Sequence, residues 1–269
     1  MKLRFGLITL TTGVLLVACG GLETTDINAD RLMYGNTTTI TVDGPNLDKG
    51  IQLVAPSCAG ITEVTASATP THKAYTCIPK VTGPMVVTVG GGVALRSITV
   101  NIPVPQVTLK TSMGDIVLEL DPGKAPLSAL NFMQYVNANF YANLIFHRVL
   151  PGFMIQAGAF TAGPTLRAPT YGPIKLESNN GLSNLRGSLA MARISVTDSA
   201  NSQFYINVAD NLSLDYASDT QPGYAVFGKV VDGLPVVDAI SAVPTGAVNG
   251  IMTDVPLTDV VILSATQTR

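Results

Sequence analysis

Between positions 32 and 103 the chain consists of short runs in which apolar and polar residues alternate. The six runs cover residues 39–42, 51–54, 61–64, 74–77, 85–89 and 98–100. An alternation with a period of two predicts strands with one buried face. Turn-forming residues separate the runs at the spacing of a small sandwich. The pattern therefore predicts an immunoglobulin-like β-sandwich over residues 32–103, with a spacing or binding role because it clusters no titratable groups.

The pattern changes after residue 103. Pro103 and Pro105 form a stiff connector that cannot continue a sheet ladder, so we place a domain boundary between residues 103 and 104. Alternating runs at 106–109 and 114–120 then predict a hairpin at the start of the second domain.

Two stretches of the second domain have a helical period. Apolar residues recur at three-residue steps in residues 126–138, at Leu127, Leu130, Met133 and Val136. A similar stripe follows Gly233, at Leu234, Val237 and Ile240, and precedes a last strand at 260–263. These steps predict two amphipathic helices, so we expect residues 104–269 to be mostly β with two helices.

The first seventeen residues have a pattern of their own. Lys2 and Arg4 precede a stretch without charge from residue 5 to residue 17, which is the arrangement of a secretory signal. The stretch is shorter than the ~18 apolar residues that a membrane-spanning helix needs. We therefore predict a cleaved signal peptide over residues 1–18.

Residues 16–19, Leu-Val-Ala-Cys, resemble the lipobox of bacterial lipoproteins. The resemblance implies that Cys19 carries diacylglycerol and palmitate-type chains, which hold the protein to a membrane facing the periplasm. Gly20 follows where Asp would retain a lipoprotein at the inner membrane, so we expect the outer membrane. Residues 19–31 are predicted to be a tether. An ordinary secretory signal with a chance cysteine is the alternative, and both predict an envelope protein.

Composition narrows the partners. Charged residues make up 13% of the chain and the net charge is −2, so nucleic acid is not an expected partner. Cys58 and Cys77 remain as a pair in an oxidising compartment, which predicts a disulfide. We expect no metal, because only His72 lies near that pair, and no cofactor, because no phosphate-binding glycine motif is present.

Residues 146–158 place one cation, Arg148, among aromatic, thioether and amide side chains. Two strands joined by a turn at Pro151 and Gly152 would direct Arg148, Phe153 and Gln156 toward a shared cavity. The alternative is a strand pair that merely exposes an arginine.

This segment resembles the signature of the cyclophilins, in which Phe-His-Arg is followed by Pro-Gly-Phe-Met and then by Gln-Gly-Gly. The blocks at 187–207 and 223–230 are similar to the second and third signatures of that family and come in the same order. The resemblance extends from about Val107 to Ala265 and is strongest to the periplasmic bacterial branch. It implies a closed eight-stranded antiparallel barrel with two capping helices, an active groove on its outer face, and peptidyl-prolyl cis-trans isomerase activity on proline-containing polypeptides.

The resemblance also implies residue roles. Arg148 would be the catalytic donor. The substrate-binding residues implied are Phe153, Met154, Tyr205 and Leu214 in the proline pocket, Gln156 and Gln203 at peptide amides, the backbone of Ala192 and Arg193, and Tyr224, which stands where eukaryotic members have histidine. His147 is expected to be structural, because bond rotation transfers no proton.

The sequence departs from the family pattern at Ala157, which replaces a glycine, and at Arg193, which replaces a common asparagine. Two other functions stay open at this point. One is a chaperone that binds proline peptides without turnover, and the other is an adhesion module formed by the first domain.

Overall fold

A computed structural model of the chain describes residues 25–30, 32–91, 95–248 and 252–269. The predicted signal peptide and Cys19 lie outside the described residues. None of the helices in these ranges is long and apolar enough to cross a membrane.

The first domain consists of two antiparallel sheets. Its strands are β1 (Asp26–Asp30), β2 (Thr38–Asp43), β3 (Ile51–Val54), β4 (Cys58–Glu63), β5 (His72–Pro79), β6 (Gly83–Gly91) and β7 (Arg96–Ile102). The sheet orders are β1-β2-β5-β4 and β3-β6-β7. Ile40, Met85 and Val87 are fully buried in one apolar cluster shared by both sheets, and a disulfide joins Cys58 to Cys77. The six predicted runs all lie within these strands or end one residue beyond them.

The predicted tether over residues 19–31 is wrong for its second half, because Asp26–Asp30 forms β1 and pairs antiparallel with β2. Ile27 is buried at 7% exposure, whereas Asp26 and Asn28 on either side are exposed. One buried isoleucine and the hydrogen bonds to a neighbouring strand stabilise the segment, although its composition is polar.

The second domain contains the remaining strands and both α-helices of the described chain. Its first strands are β8 (Gln106–Thr111), β9 (Gly114–Leu120), β10 (Leu144–Ile145), β11 (Arg148–Leu150), β12 (Met154–Ala157), β13 (Phe160–Thr161) and β14 (Thr165–Leu166). They are followed by β15 (Ser188–Met191), β16 (Phe204–Asn207), β17 (Val226–Asp232), β18 (Thr245–Val248), β19 (Met252–Pro256) and β20 (Val261–Gln267). The helices are α1 (Pro126–Asn137) and α2 (Leu234–Ser241).

The main sheet of this domain closes on itself. Its order is β11-β12-β16-β15-β17-β9-β8-β20-β10, with the hairpin β13-β14 added beside β10. β10 and β11 are two halves of one stretch, residues 144–150, which pairs with β20 at its start and with β12 at its end. Counted as one strand, that stretch completes a ring of eight antiparallel strands. The predicted mainly β fold, with an eight-stranded barrel and two helices, is confirmed.

Helix α1 covers one side of the barrel. The carboxylate of Glu177 accepts hydrogen bonds from the backbone N–H groups of Leu127 and Ser128, at 2.9 and 2.8 Å, which satisfies two unpaired donors of the first turn. Phe132 packs against Phe204 and two further rings of the core. The predicted apolar stripe is wrong at its first member, because the side chain of Leu127 is 44% exposed.

The first domain contacts the barrel through the chain around Tyr34. Tyr34 is 1% exposed and its hydroxyl donates to the carbonyl of Pro126 at 3.3 Å. The side-chain amide of Gln267 donates to the carbonyl of Tyr34 at 3.1 Å, and that of Asn137 donates to the carbonyl of Gly35 at 3.0 Å. Burial raises the pKa of the Tyr34 phenol. The contact joins the first domain to α1 and to the last strand of the barrel.

Candidate active site

Nine of the ten residues predicted to bind or act on substrate line one open pocket of about 220 Å³ on the outside of the barrel. They are Arg148, Phe153, Met154, Gln156, Ala192, Arg193, Tyr205, Leu214 and Tyr224. The tenth, Gln203, lies beside the pocket and accepts a 2.9 Å hydrogen bond from the side-chain amide of Gln156. The structure therefore brings the whole predicted set together, and the role of each residue in turnover stays a prediction.

Strand register explains why these side chains meet. Arg148 lies opposite Gln156, Gln156 opposite Tyr205, and Tyr205 opposite Ala190. Directly opposite residues of antiparallel strands project to the same face, so the four form one row across β11, β12, β16 and β15. His147 precedes Arg148 and is 4% exposed, because successive residues of a strand point to opposite faces.

The floor of the pocket is apolar. Met154, Ala190, Tyr205 and Val226 form a separate buried cluster, against which Leu150, Phe153, Leu182, Ala192, Leu214 and Tyr224 pack. Sequence reasoning did not select Ala190, Val226, Leu150 or Leu182 as pocket residues. An aliphatic residue gives no sequence signal that separates a pocket floor from an ordinary core. This apolar floor suits a compact apolar ring such as that of proline.

Arg148 presents its guanidinium at the edge of this floor. Its side chain is 47% exposed, and its Nε lies 3.6 Å from Oδ2 of Asp254. Asp254 belongs to β19, in the hairpin β18-β19 inserted between α2 and the last barrel strand. No motif or spacing marks Asp254 as a site residue, because it lies far from Arg148 along the chain.

Arg193 lies across the pocket and is held from three directions. Its Nε donates to the carbonyl of Gly223 at 2.8 Å, and its Nη1 donates to the carbonyl of Ile194 at 2.9 Å. The guanidinium carbon lies 4.8 Å from the centre of the Tyr224 ring, which is a cation–π distance. Tyr224 in turn packs edge-on against Tyr205 at 5.9 Å.

A buried polar network supports Tyr205 from behind. The Tyr205 hydroxyl donates to Oδ1 of Asn184 at 2.7 Å, and the same oxygen accepts from the amide of Asn207 at 3.1 Å. The amide of Asn184 donates to Oδ1 of Asp215 at 2.8 Å. Burial raises the pKa of the Tyr205 phenol, so it stays protonated. Sequence reasoning missed this network, because nothing marks Asn184 as buried.

His147 does not line the pocket. Its ring is buried against Phe160, with the ring centres 4.8 Å apart. Burial lowers the pKa of His147 to about 4, so the imidazole is neutral near pH 7. Among the residues that the structure describes, no group of three or more His, Cys, Asp or Glu side chains is arranged to hold a metal ion.

The two departures from the family pattern have different structural settings. Ala157 is fully buried in β12 opposite Phe204, where a methyl group is accommodated. Gly158 has φ +102°, and an added Cβ would lie 2.4 Å from the carbonyl oxygen of Ser202. Only the second glycine of the usual pair is therefore required by the backbone.

Comparison with known proteins agrees with this geometry. The profile of the family described as "Cyclophilin type peptidyl-prolyl cis-trans isomerase/CLD" matches residues 106–267. A peptidyl-prolyl cis-trans isomerase of Acinetobacter baylyi is 55% identical over 158 residues, covering 59% of this chain and 82% of that protein. Peptidyl-prolyl cis-trans isomerase B of Escherichia coli is 50% identical over 162 residues, covering 60% of this chain and 98% of its own length.

A solved cyclophilin-type isomerase of Cryptosporidium parvum superposes with a TM-score of 0.51 and 23% identity, covering 61% of this chain and 98% of its own. That likeness concerns the fold alone. The chain belongs to the cyclophilin-type peptidyl-prolyl cis-trans isomerase family. The residues that the family profile matches are those of the barrel domain.

Proposed function

We propose that this chain is a cell-envelope isomerase, attached to a membrane through lipid on Cys19, that accelerates rotation about X–Pro bonds while secreted and envelope proteins fold. The isomerase activity itself follows from the family. We propose in addition the client proteins, the lipid anchor and the location in the cell envelope.

The chemistry begins with the prolyl amide, whose resonance separates cis from trans by ~18–20 kcal/mol. In the twisted transition state the prolyl nitrogen regains a lone pair. A donor aimed at that nitrogen therefore binds the twisted state better than either planar state. Arg148 fits this role, because a guanidinium is a cation whose terminal N–H groups are held in a fixed plane.

The apolar floor contributes orientation. Burial of the proline ring against Phe153, Met154 and Leu214 would hold the ring while the carbonyl on the other side of the bond turns. Lowering an uncatalysed time of ~100 s to ~1 ms needs about 7 kcal/mol. One charge-assisted hydrogen bond together with positioning is of that order.

The observation that carries the proposal is the position of Arg148 beside an apolar floor, with Gln156 next to it in the same row. The test is prolyl isomerisation of a short peptide by the purified protein and by Arg148→Ala. Arg186→Ala is a matched control, because Arg186 pairs with Asp238 on the surface and does not line this pocket. We expect loss of turnover in Arg148→Ala alone, and an inactive wild-type protein would contradict the proposal.

A chaperone that binds proline peptides without turnover is the alternative, since the same floor would grip a proline ring. Suppression of client aggregation by Arg148→Ala separates the two activities. If the variant still prevents aggregation but no longer isomerises, both activities reside in the protein.

Envelope location is supported by two features. The N-terminal residues have the pattern of a lipoprotein signal, and the bond between Cys58 and Cys77 is of a kind that persists in oxidising compartments. Metabolic labelling with palmitate, followed by membrane fractionation, tests the anchor. We expect label on the wild type and none on Cys19→Ala, and unlabelled wild-type protein would overturn the lipid proposal.

A further inference from the structure

The groove has a marked imbalance of charge. The side chains that line it include two arginines, Arg148 and Arg193, and no acidic residue, although the net charge of the whole chain is −2. Charge in a partly enclosed pocket acts on a bound peptide more strongly than charge on an open surface. The groove therefore differs electrostatically from the rest of the protein.

The two arginines are neutralised unequally. Arg148 has a carboxylate partner in Asp254, at 3.6 Å. Arg193 donates to two backbone carbonyls and stacks on Tyr224, and none of the ion pairs among the described residues includes it. Asp215, which follows the pocket residue Leu214, directs its Oδ1 to the backbone and side-chain N–H groups of Asn184. Arg193 thus keeps its full charge at the rim.

Arg193 is also preorganised to bind an anion. Its Nε and Nη1 are held by Gly223 and Ile194, while its Nη2 has no hydrogen-bond partner among the described residues. A guanidinium held in one plane loses little further side-chain entropy when a carboxylate binds to its free edge. Because these contacts fix Arg193, we expect its side chain, in addition to its backbone, to take part in binding the peptide.

We propose that Arg193 makes the isomerase selective for clients that carry a carboxylate side chain, Asp or Glu, within two residues of the isomerised proline. The inference rests on the proposed function and concerns its substrate class. A lysine at the same place in the client is disfavoured, since it would meet the unpaired charge of Arg193.

The test uses proline peptides that differ only in one residue, Glu, Gln or Lys, placed either before or after the X–Pro pair. Isomerisation is measured by NMR exchange, so that no coupling protease adds its own specificity. We expect kcat/KM to favour Glu over Lys by about 10-fold at low salt in one of the two placements. The ratio should approach one at 1 M salt, where the screening length is about 3 Å.

Variants at Arg193 identify the residue responsible. In Arg193→Gln the Glu-to-Lys ratio should fall to near one, whereas Arg193→Lys should retain part of it because the charge remains. The ratio compares two peptides on one enzyme, so a general loss of activity cancels, and circular dichroism verifies that each variant is folded.

Two outcomes overturn the inference: a Glu-to-Lys ratio near one for the wild type in both placements, or an unchanged ratio in Arg193→Gln. The Gln peptide distinguishes these results from failure of the proposed function. If the wild type turns over the Gln peptide in an Arg148-dependent way, the isomerase stands while the selectivity fails.

Discussion

The two arginines of the groove have similar chemistry and different surroundings. Arg148 is half exposed, and its Nε lies 3.6 Å from the carboxylate of Asp254. Arg193 is fixed by two backbone carbonyls and by a tyrosine ring. The contrast teaches that a donor needed in the transition state must keep its N–H groups available, whereas a recognition group gains from being fixed before the substrate arrives.

The supports beneath them differ as well. Arg193 rests on Tyr224, Tyr224 packs on Tyr205, and Tyr205 is hydrogen-bonded to the buried Asn184. Arg148 projects from β11, a strand of three residues at the point where the barrel closes. Substitutions at these positions test whether this difference in support is a difference in function.

Replacing each arginine by lysine should give the largest difference in activity between the two positions. Lysine keeps the charge but loses the planar set of donors. We expect Arg148→Lys to lower kcat/KM on an uncharged peptide by roughly 100-fold, or ~2.7 kcal/mol, because the donor is needed at the twisted nitrogen. Arg193→Lys should cost only a few-fold. Equal losses in the two variants would contradict the assignment of different roles.

Removing Asn184 should have the next largest effect and act on stability. Asn184→Ala leaves the Tyr205 hydroxyl and the amide of Asn207 without a shared acceptor, and all three residues are buried. We expect the free energy of unfolding to fall by ~2 kcal/mol, as for other buried polar groups that lose a partner. Chemical denaturation measures it, with Ser183→Ala as a neighbouring control. A change within ~0.5 kcal/mol would show that the network does not support this wall.

Some residues of the groove could be predicted from the sequence, and others could not. Arg148 and Gln156 could be placed on one face, because a two-residue period on both sides of a short turn fixes which side chains project together. Asp254 could not be placed, since its contact with Arg148 depends on how a distant hairpin packs. Asn184 was invisible for the same reason, and β1 was mistaken for a tether because its burial depends on one isoleucine.

His147 extends the comparison, because it precedes Arg148 in the chain and is buried where Arg148 is half exposed. Burial lowers its pKa to about 4, below the ~6.5 of an unfolded chain. The unfolded state therefore binds the proton first as the pH falls. His147 should reduce the free energy of unfolding by about 1 kcal/mol between pH 7 and pH 5.5, and by more as the pH approaches 4.

The measurement is denaturation of the wild type and His147→Gln at a series of pH values. The free energy of unfolding of the wild type, minus that of His147→Gln, should decrease as the pH falls below about 6.5. The reason is that only the wild type binds this proton on unfolding. A difference that is independent of pH over this range would mean that His147 is not held neutral.

The smallest effect is expected at Asp254, whose carboxylate pairs with Arg148 and has no counterpart at Arg193 among the described residues. Asp254→Asn keeps the shape and removes the charge, so the guanidinium of Arg148 becomes freer to move. A partly exposed ion pair is worth at most ~1 kcal/mol, and we expect kcat to fall about 3-fold with KM nearly unchanged, because orientation in the transition state is lost rather than binding. In an Arg148→Lys background the same substitution should have less effect, since the two side chains would act as one unit. If Asp254→Asn instead raised kcat, the carboxylate would be attenuating the charge of Arg148 rather than positioning it, and the ion pair would be lowering the rate of catalysis.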